Sequence, residues 1–196
     1  MLVRDVMTQQ PVTATPGTTV KEALTLLARH RIAAMPVVSD TGRILGVISE
    51  ADLIRDMVDV DARVHEIPVE ATTRDHPTYV DEVMTPHAIT VRGDTDLSEA
   101  VELITSTTVK SVPVVDAHGH VTGMLSRSDV VRLLARTDDT LEAEVDSLLR
   151  TLGLGDWLVE VHDGVAEITG PADEKHREIA RSAAGTVPGV VEVRIS

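Results

Sequence analysis

An internal repeat constrains the fold of this 196-residue chain more than any other feature of its sequence. When residues 6–55 are laid without a gap on residues 83–132, 16 of the 50 positions are identical. The matches keep their order, beginning with Val6-Met7-Thr8 on Val83-Met84-Thr85. One supersecondary unit therefore occurs twice, and we expect the two units to bury their sheets against each other.

Each copy of the repeat predicts the element order β-α-β-β-α. A short extended piece at residues 12–13 or 89–90 leads to a helix with apolar residues at positions i, i+3, i+4 and i+7. These residues are Val20, Ala23, Leu24 and Leu27 in the first copy and Leu97, Ala100, Val101 and Ile104 in the second. Because a second surface must cover such stripes, the pattern favours a homodimer through the repeats.

The ends of the helices and strands have their own signals. Thr18 and Thr95 are the predicted N-terminal caps of the two amphipathic helices. Strands are expected at residues 35–38 and 44–48, and again at 112–115 and 121–125, with a glycine turn within each pair. A closing helix is predicted to begin at Ser49 or Ser126.

Both copies resemble CBS domains, and the pair is similar to a Bateman module. The residues that carry the resemblance are Val6-Met7-Thr8, Met35-Pro36-Val37-Val38, Gly46-Val47-Ile48-Ser49 and Asp52, with Val83-Met84-Thr85, Val112-Pro113-Val114-Val115, Gly123-Met124-Leu125-Ser126 and Asp129 as counterparts. The resemblance implies a mixed α/β fold, with repeats at 1–58 and 80–136 packed as a pseudo-twofold pair around a linker at 59–79.

Residues 138–196 predict a separate, smaller domain with the order α-β-β-α-β. Asp163-Gly164 is a strong hairpin signal between two alternating segments, and Gly170 ends the second of them. With the Val187-Pro188-Gly189-Val190 approach to the last strand, this segment resembles a BON domain, a family associated with phospholipid surfaces. Its 13 acidic and 5 basic residues depart from that role.

Charge and composition exclude several classes of function. The net charge of −14 and the lack of a basic cluster disfavour nucleic-acid binding, and the same charge disfavours an anionic membrane. The absence of cysteine excludes disulfides, thiolate catalysis and cysteine-bound metals. Without a recognisable secretory leader or an apolar run of about 20 residues, the expected location is the cytoplasm.

The sharpest local motif is Ser-x-x-Asp at the end of a strand, which occurs in both copies as Ser49 with Asp52 and Ser126 with Asp129. Alone, this motif is close to a helix capping box. The CBS resemblance implies a second role, in which the serines contact a phosphate and the aspartates accept both hydroxyls of a ribose. The two roles are compatible, because a cap and an anion site use the same free amides.

The resemblance also implies where a base and further phosphates bind. An adenine would lie between Thr13 and the Ala34-Met35 backbone in one copy, and between Thr90 and Ser111-Val112 in the other. Lys110 and Arg127 make the second copy the better candidate for a di- or triphosphate. Ordinary strand packing and solvated surface charge are the alternatives for these positions.

The function expected from the sequence is a regulatory sensor of AMP, ADP, ATP or S-adenosylmethionine, with no required cofactor and an unidentified target protein. The histidines lack metal-ligand spacing, and no catalytic constellation or phosphate-binding loop of the Walker type is found, so an enzyme is not expected. The alternative is an adaptor with degenerate clefts, whose BON-like domain docks on a lipid or protein surface.

Overall fold

The computed structural model describes residues 1–55, 76–170 and 173–196. The predicted linker at 59–79 lies outside the described residues except for residues 76–79. The helices are α1 Val20–His30, α2 Glu50–Arg55, α3 Leu97–Ser106, α4 Arg127–Leu134, α5 Asp138–Thr151 and α6 Glu174–Ala184. The strands are β1 Thr8–Gln9, β2 Ala34–Val38, β3 Ile44–Ser49, β4 Thr85–Pro86, β5 Val91–Arg92, β6 Ser111–Val115, β7 Val121–Ser126, β8 Leu158–His162, β9 Val165–Thr169 and β10 Glu192–Ile195.

The two repeats exchange the segments that precede them. Strand β4 follows the linker, yet it pairs with β3 of the first repeat, in a sheet of order β2-β3-β4. Strand β1, near the start of the chain, pairs with β7 of the second repeat, in a sheet of order β1-β7-β6-β5. The fold is therefore a mixed α/β pair in which each repeat completes the sheet of the other.

The short 3-10 turns Val3–Asp5 and Val80–Glu82 are exchanged in the same way. Val3 is fully buried in the core of the second repeat, and Val80 in the core of the first. The Val3 amide donates to the Thr95 carbonyl at 3.0 Å, and the Val80 amide donates to the Thr18 carbonyl at 2.9 Å. The packed units therefore do not coincide with the sequence repeats, because the first residues of each repeat belong to the core of the other.

Two glycines make room for the exchanged segments. A Cβ atom on Gly46 would lie 2.5 Å from the carbonyl oxygen of Thr85, and one on Gly123 would lie 2.3 Å from the sulfur of Met7. The first distance is to a backbone atom, so the crossing strand requires glycine at position 46. At position 123 a Cβ atom would instead displace the flexible Met7 side chain and approach the Thr8 carbonyl oxygen to 3.1 Å.

The turns between the long strands also meet across the pseudo-twofold axis. The Ile44 amide donates to the Gly119 carbonyl at 3.0 Å, and the Val121 amide donates to the Gly42 carbonyl at 3.1 Å. These two hydrogen bonds are related by the same 77-residue offset that aligns the repeats. The repeat in sequence is therefore a rotational symmetry in structure.

The predicted helix caps are each wrong by one residue. Thr19 caps α1 by accepting from the Glu22 amide, and Asp96 caps α3 by accepting from the Ser98 amide. The hydroxyls of Thr18 and Thr95 instead accept from the amides of residues 15 and 92 and close the turns before the helices. Adjacent residues with cap-forming side chains made the two roles indistinguishable in sequence.

The apolar stripe of α1 packs within its own repeat. Val20 and Leu27 are each 3% exposed, and Leu24 packs partly buried against the same core. These residues therefore do not need a second chain to cover them, and the argument for a homodimer from this stripe is wrong. Dimerisation itself stays a prediction.

Residues 138–196 form α5, β8, β9, α6 and β10, with a sheet of order β10-β9-β8. Strands β8 and β9 are joined by a two-residue turn with positive φ at Asp163 and Gly164, as the hairpin signal predicts. The carboxylate of Asp138 accepts from both turn amides at 2.9 Å and ties the hairpin to the start of α5.

One arginine connects this unit to the second repeat. Arg136, just after α4, donates to the carbonyl of Pro188 and pairs with the carboxylate of Glu144. Within the described ranges no helix is long and apolar enough to span a bilayer. The third unit is thus anchored on the end of α4, beside the CBS-like pair.

Candidate functional site

A cleft of about 430 Å³ lies between the two repeats. It is bounded by the start of β2, the end of β3 and the start of α2 from the first repeat. The exchanged segment around β4 and the approach to β6 form the other side. Of the predicted site residues, the cleft is lined by Ala34, Ser49, Asp52, Lys110 and Ser111.

The topology explains why residues from both copies meet here. Ala34 and Ser111 begin the corresponding strands β2 and β6, which face each other across the pseudo-twofold axis. Because β4 pairs with β3, the chain from Thr85 to Ile89 passes over the first repeat and enters the same cleft. The site is therefore composite, and neither repeat contains all of it.

Ser49 and Asp52 form a capping box at the start of α2. The amide and hydroxyl of Ser49 donate to Oδ2 of Asp52 at 2.9 and 2.6 Å, and the Asp52 amide donates to the Ser49 hydroxyl at 3.3 Å. Oδ1 of Asp52 has no hydrogen-bond partner within the described part of the chain, and the side chain is half-buried. A carboxylate oxygen is thus available as an acceptor at the cleft wall.

The corresponding Asp129 is closed off. Its Oδ2 is held by the Ser126 amide and hydroxyl, at 2.8 and 2.6 Å. Its Oδ1 accepts from the hydroxyl of Thr8 at 3.0 Å and from the guanidinium of Arg132 at 3.1 Å. Asp129 is only 4% exposed, so both carboxylate oxygens are already satisfied inside the protein.

Two cations line the cleft with Asp52. Lys110 comes from the loop before β6 and Arg55 from the end of α2, and both side chains are exposed. Neither forms an ion pair among the described residues. Lys110 lines the cleft with Ser49 and Asp52, and its carbonyl accepts from the Arg127 amide at 3.1 Å, beside the second motif. Its assignment to the site of Ser126 and Asp129 stays a prediction. Sequence position alone did not predict that residues of opposite repeats line the same cleft.

Arg127, the other predicted phosphate contact, donates to main-chain carbonyls at the end of α3. Its Nε donates to the carbonyl of Ile104 at 2.8 Å and its terminal nitrogen donates to the carbonyl of Thr107 at 3.2 Å. These carbonyls belong to the C-terminal end of α3, where hydrogen-bond donors are otherwise lacking. The guanidinium therefore links α4 to the end of α3, and Arg127 does not line the cleft.

The remaining predicted residues are not brought together in this cleft. Met35 and Val112 are fully buried in the cores of their repeats, as strand packing requires. Thr13 is exposed and lies outside the cleft, and half-buried Thr90 follows the lining residue Ile89. The sequence did not predict the other lining residues, among them Arg55, Thr85, His87 and Ile89. Arg55 and Thr85 had a signal, their matches to Arg132 and Thr8 in the repeat.

The model of the family described as "CBS domain" matches the chain at residues 3–59 and 80–136. The CBS domain-containing protein CBSX2 of Arabidopsis thaliana is 32% identical over 132 residues, which cover 60% of this chain and 56% of that protein. Inosine-5'-monophosphate dehydrogenase of Mycobacterium tuberculosis is 31% identical over 126 residues, which are 64% of this chain and 21% of the enzyme. The chain thus spans little more than half the length of CBSX2 and about a fifth of the length of the dehydrogenase.

Two solved structures with adenosyl ligands are similar. CBSX2 in complex with AMP matches at 32% identity with a TM-score of 0.56, and covers 67% of this chain and 93% of that one. The CBS domain pair of protein MJ0100, in complex with 5'-methylthioadenosine and S-adenosyl-L-methionine, matches at 26% identity with a TM-score of 0.55 over 68% and 94% of the two chains.

Proposed function

Because the chain belongs to the CBS domain family, as the two matched segments show, we propose that it is a regulatory module binding one adenosyl ligand per chain. The ligand occupies the cleft lined by Asp52 and Lys110. The observation that carries this proposal is the contrast between the free Oδ1 of Asp52 and the fully satisfied carboxylate of Asp129. No catalytic role is proposed for the chain itself.

The chemistry of the cleft suits each part of a nucleotide. Its volume lies within the range of about 300–1,000 Å³ of small-molecule sites. Asp52 accepts the ribose hydroxyls, while the apolar side chains of Ala34, Ile89 and Val109 border the base. The structures with AMP, methylthioadenosine and S-adenosylmethionine are of relatives and support an adenosyl ligand of this kind.

The free cations favour an anionic ligand among the candidates. Lys110 and Arg55 have no ion-pair partner in the described protein, and a phosphate would provide one. Charge-assisted hydrogen bonds are about twice as strong as neutral ones. We therefore place AMP, ADP and ATP ahead of S-adenosylmethionine, whose sulfonium is cationic and would face both side chains.

A thermal-shift series tests this proposal directly. The midpoint of unfolding is measured for the full chain with AMP, ADP, ATP, S-adenosylmethionine and, as a control, GTP. A ligand that binds only the native state at a hundredfold excess over its Kd adds about 2.7 kcal/mol, or several degrees for a chain of this size. If no adenosyl compound at millimolar concentration moves the midpoint, the sensor is excluded and the motifs are helix caps alone.

We further propose a homodimer through α2 and α4. Ile54 and Val131, which correspond in the two repeats, are 54% and 63% exposed, and Leu134 beside Val131 is 61% exposed. Apolar side chains at matching positions of two helices form a self-complementary surface about the pseudo-twofold axis. Sedimentation should give about twice the 21.1 kDa chain mass, and Val131→Asp should return a monomer. A monomer in the wild type would contradict the proposal.

For residues 138–196 we propose a BON-like unit that does not attach to anionic lipid. The uncovered face of its sheet carries Glu160, Glu167 and Glu192, of which the last two pair with Arg194. That surface repels an anionic headgroup. Flotation with phosphatidylglycerol vesicles at physiological salt should leave the protein in the soluble fraction, whereas salt-sensitive co-flotation would favour the adaptor.

A further inference from the structure

A second groove of about 430 Å³ lies on the third unit, between α5 and the outer edge of β8. One wall is a stripe of α5 with the helical spacing i, i+3, i+4 and i+7, formed by Asp139, Glu142, Ala143 and Asp146. The other wall is the β8 edge at Trp157–Val159. The groove is far in sequence from the CBS cleft and shares no lining residue with it.

The edge of β8 presents unpaired main-chain groups to this groove. Strand β8 is the last in the order β10-β9-β8, so one of its edges has no neighbouring strand among the described residues. His162 and Val165 flank the two-residue turn and form a hydrogen-bonded pair, which directs the amides of Val161 and Val159 outward by alternation. The Val161 amide donates to Oε2 of Glu142 at 3.2 Å, as that alternation requires.

The charge along the groove is negative. Asp146 pairs with Arg150 at 3.0 Å, but Asp139 has no cation partner in the described residues, and Glu142 is held only by the Val161 amide. No group of three or more acidic or histidine side chains in the described ranges is arranged to hold a metal ion. A free strand edge beside separated carboxylates suits a partner that brings both main-chain hydrogen bonds and positive charges.

We propose that this groove binds an extended peptide segment with alternating Lys or Arg, which adds to β8 as a further strand. The main chain of the segment pairs with the outward N–H and C=O of Val159, in the manner of strand addition at a free sheet edge. Its carbonyl replaces the carboxylate of Glu142 at the Val161 amide. The side chains of Glu142 and Asp139 then pair with the cations of the segment, which alternate with residues directed to the opposite side.

The first arm of the test measures charge recognition. A fluorescein-labelled heptapeptide of alternating Lys and Thr is titrated with the full chain, and binding is followed by anisotropy. The double variant Asp139→Asn/Glu142→Gln removes two carboxylates from the groove but keeps an amide oxygen for Val161. Each lost pair should weaken binding about two- to fivefold, the range of exposed ion pairs. The matched control Glu174→Gln/Glu178→Gln, on exposed positions of α6, should leave binding unchanged.

The second arm measures strand addition. The same heptapeptide with N-methyl groups on all its internal main-chain amides keeps every charge but cannot donate to the β8 carbonyls. We expect at least a tenfold loss of binding for the methylated peptide. Equal binding of the two peptides, or an equal effect of the α6 control variant, would show unspecific attraction to an acidic chain and overturn the proposal.

Discussion

The two Ser-x-x-Asp sites carry the same motif at corresponding positions, yet they are in opposite states. Among the described residues, Asp52 keeps one carboxylate oxygen without a partner at the wall of a cleft, beside Lys110 and Arg55, which form no ion pair there. Asp129 is 4% exposed, with Thr8 and Arg132 bound to the corresponding oxygen. The motif builds the same capping box twice, and its neighbours decide whether a ligand can bind.

Those neighbours come from the opposite repeat. Thr8 reaches Asp129 on the exchanged strand β1, whereas the corresponding Thr85 lines the open cleft without a hydrogen bond to Asp52. Likewise, the residue that corresponds to Lys110 in the first repeat is Ala33, which carries no charge. Duplicated motifs therefore diverge in function through the segments that each copy lends to the other.

Removing the two aspartates should have unequal effects on stability. Asp129→Ala leaves the Ser126 amide and the Thr8 hydroxyl without an acceptor in a buried place, and each such donor costs about 1–3 kcal/mol. We expect a loss of about 3 kcal/mol, or about 6–12 °C in the unfolding midpoint. Asp52→Ala, in the half-buried cleft, should cost about 1 kcal/mol, as for a helix cap that water replaces.

Chemical denaturation of the two variants and the wild type, without ligand, measures this difference. Asp129→Asn is the matched control, because it keeps the shape and one acceptor oxygen and should recover part of the loss. Equal destabilisation by Asp52→Ala and Asp129→Ala would mean that the two sites are alike, and that Asp129 is more open than its contacts indicate.

The effect of added nucleotide on the unfolding midpoint should differ between the same two variants, and here Asp52→Ala should lose more than Asp129→Ala. Asp52→Ala removes the proposed ribose acceptor and should abolish the stabilisation of about 2.7 kcal/mol expected at a hundredfold excess of AMP over its wild-type Kd. Asp129→Ala should start from a lower midpoint and keep the full shift. Calorimetric titration of the wild type should give one site per chain, and two sites would refute the contrast.

The cations of the open cleft should contribute more to the affinity for ATP than to the affinity for AMP. Lys110→Ala is expected to weaken ATP about tenfold and AMP much less, since a lost charge-assisted hydrogen bond costs about 1.5–3 kcal/mol and the longer phosphate chain uses more of them. Lys21→Ala, an exposed lysine on α1, removes the same charge outside the cleft. If this control lowers ATP affinity equally, the effect is one of net charge only.

The smallest expected difference lies in the turns that join the repeats. The carboxylate of Asp116 accepts from the amides of His120 and His118, and the hydrogen bond from the His120 amide is the main reason that its pKa falls to about 2. Ser39 holds the corresponding place in the first repeat, where its hydroxyl accepts from the Arg43 amide and does not titrate in acid. Only the second turn should therefore loosen in acid.

The sign follows from the lowered pKa. Since the folded value of about 2 lies below the ordinary 3.8, the contribution of Asp116 is present above pH 3.8 and is lost as the pH falls through about 2. Carbon-13 NMR of the Asp116 carboxyl should titrate with a midpoint near 2. A midpoint near 3.8 would show that the amides do not hold the carboxylate in solution.

The sequence predicted the repeats, the α-β-β-α part of each copy and the paired capping motifs, because all of these depend on residues within one copy. The short strands expected at residues 12–13 and 89–90 were misplaced, since the strands before the helices are β1, β4 and β5. It did not predict the exchange of β1 and β4, since hydrophobic periodicity does not indicate which copy a short strand joins. The position of Lys110 in the cleft with Asp52 was not predicted for the same reason. His87 and Ile89 carry no recognisable motif, and only the crossing of the chain over β3 brings them into the cleft.

The reciprocal strands also set the order in which this protein can form during synthesis. The first repeat lacks Val80 and β4 until residues 80–86 have left the ribosome, although its own helix and long strands end by Arg55. The segment at Val3, made first, must wait for Thr95 and the strands up to Ser126. Contacts between such distant residues slow folding, and the nascent first repeat is therefore an incomplete structure for chaperones to protect.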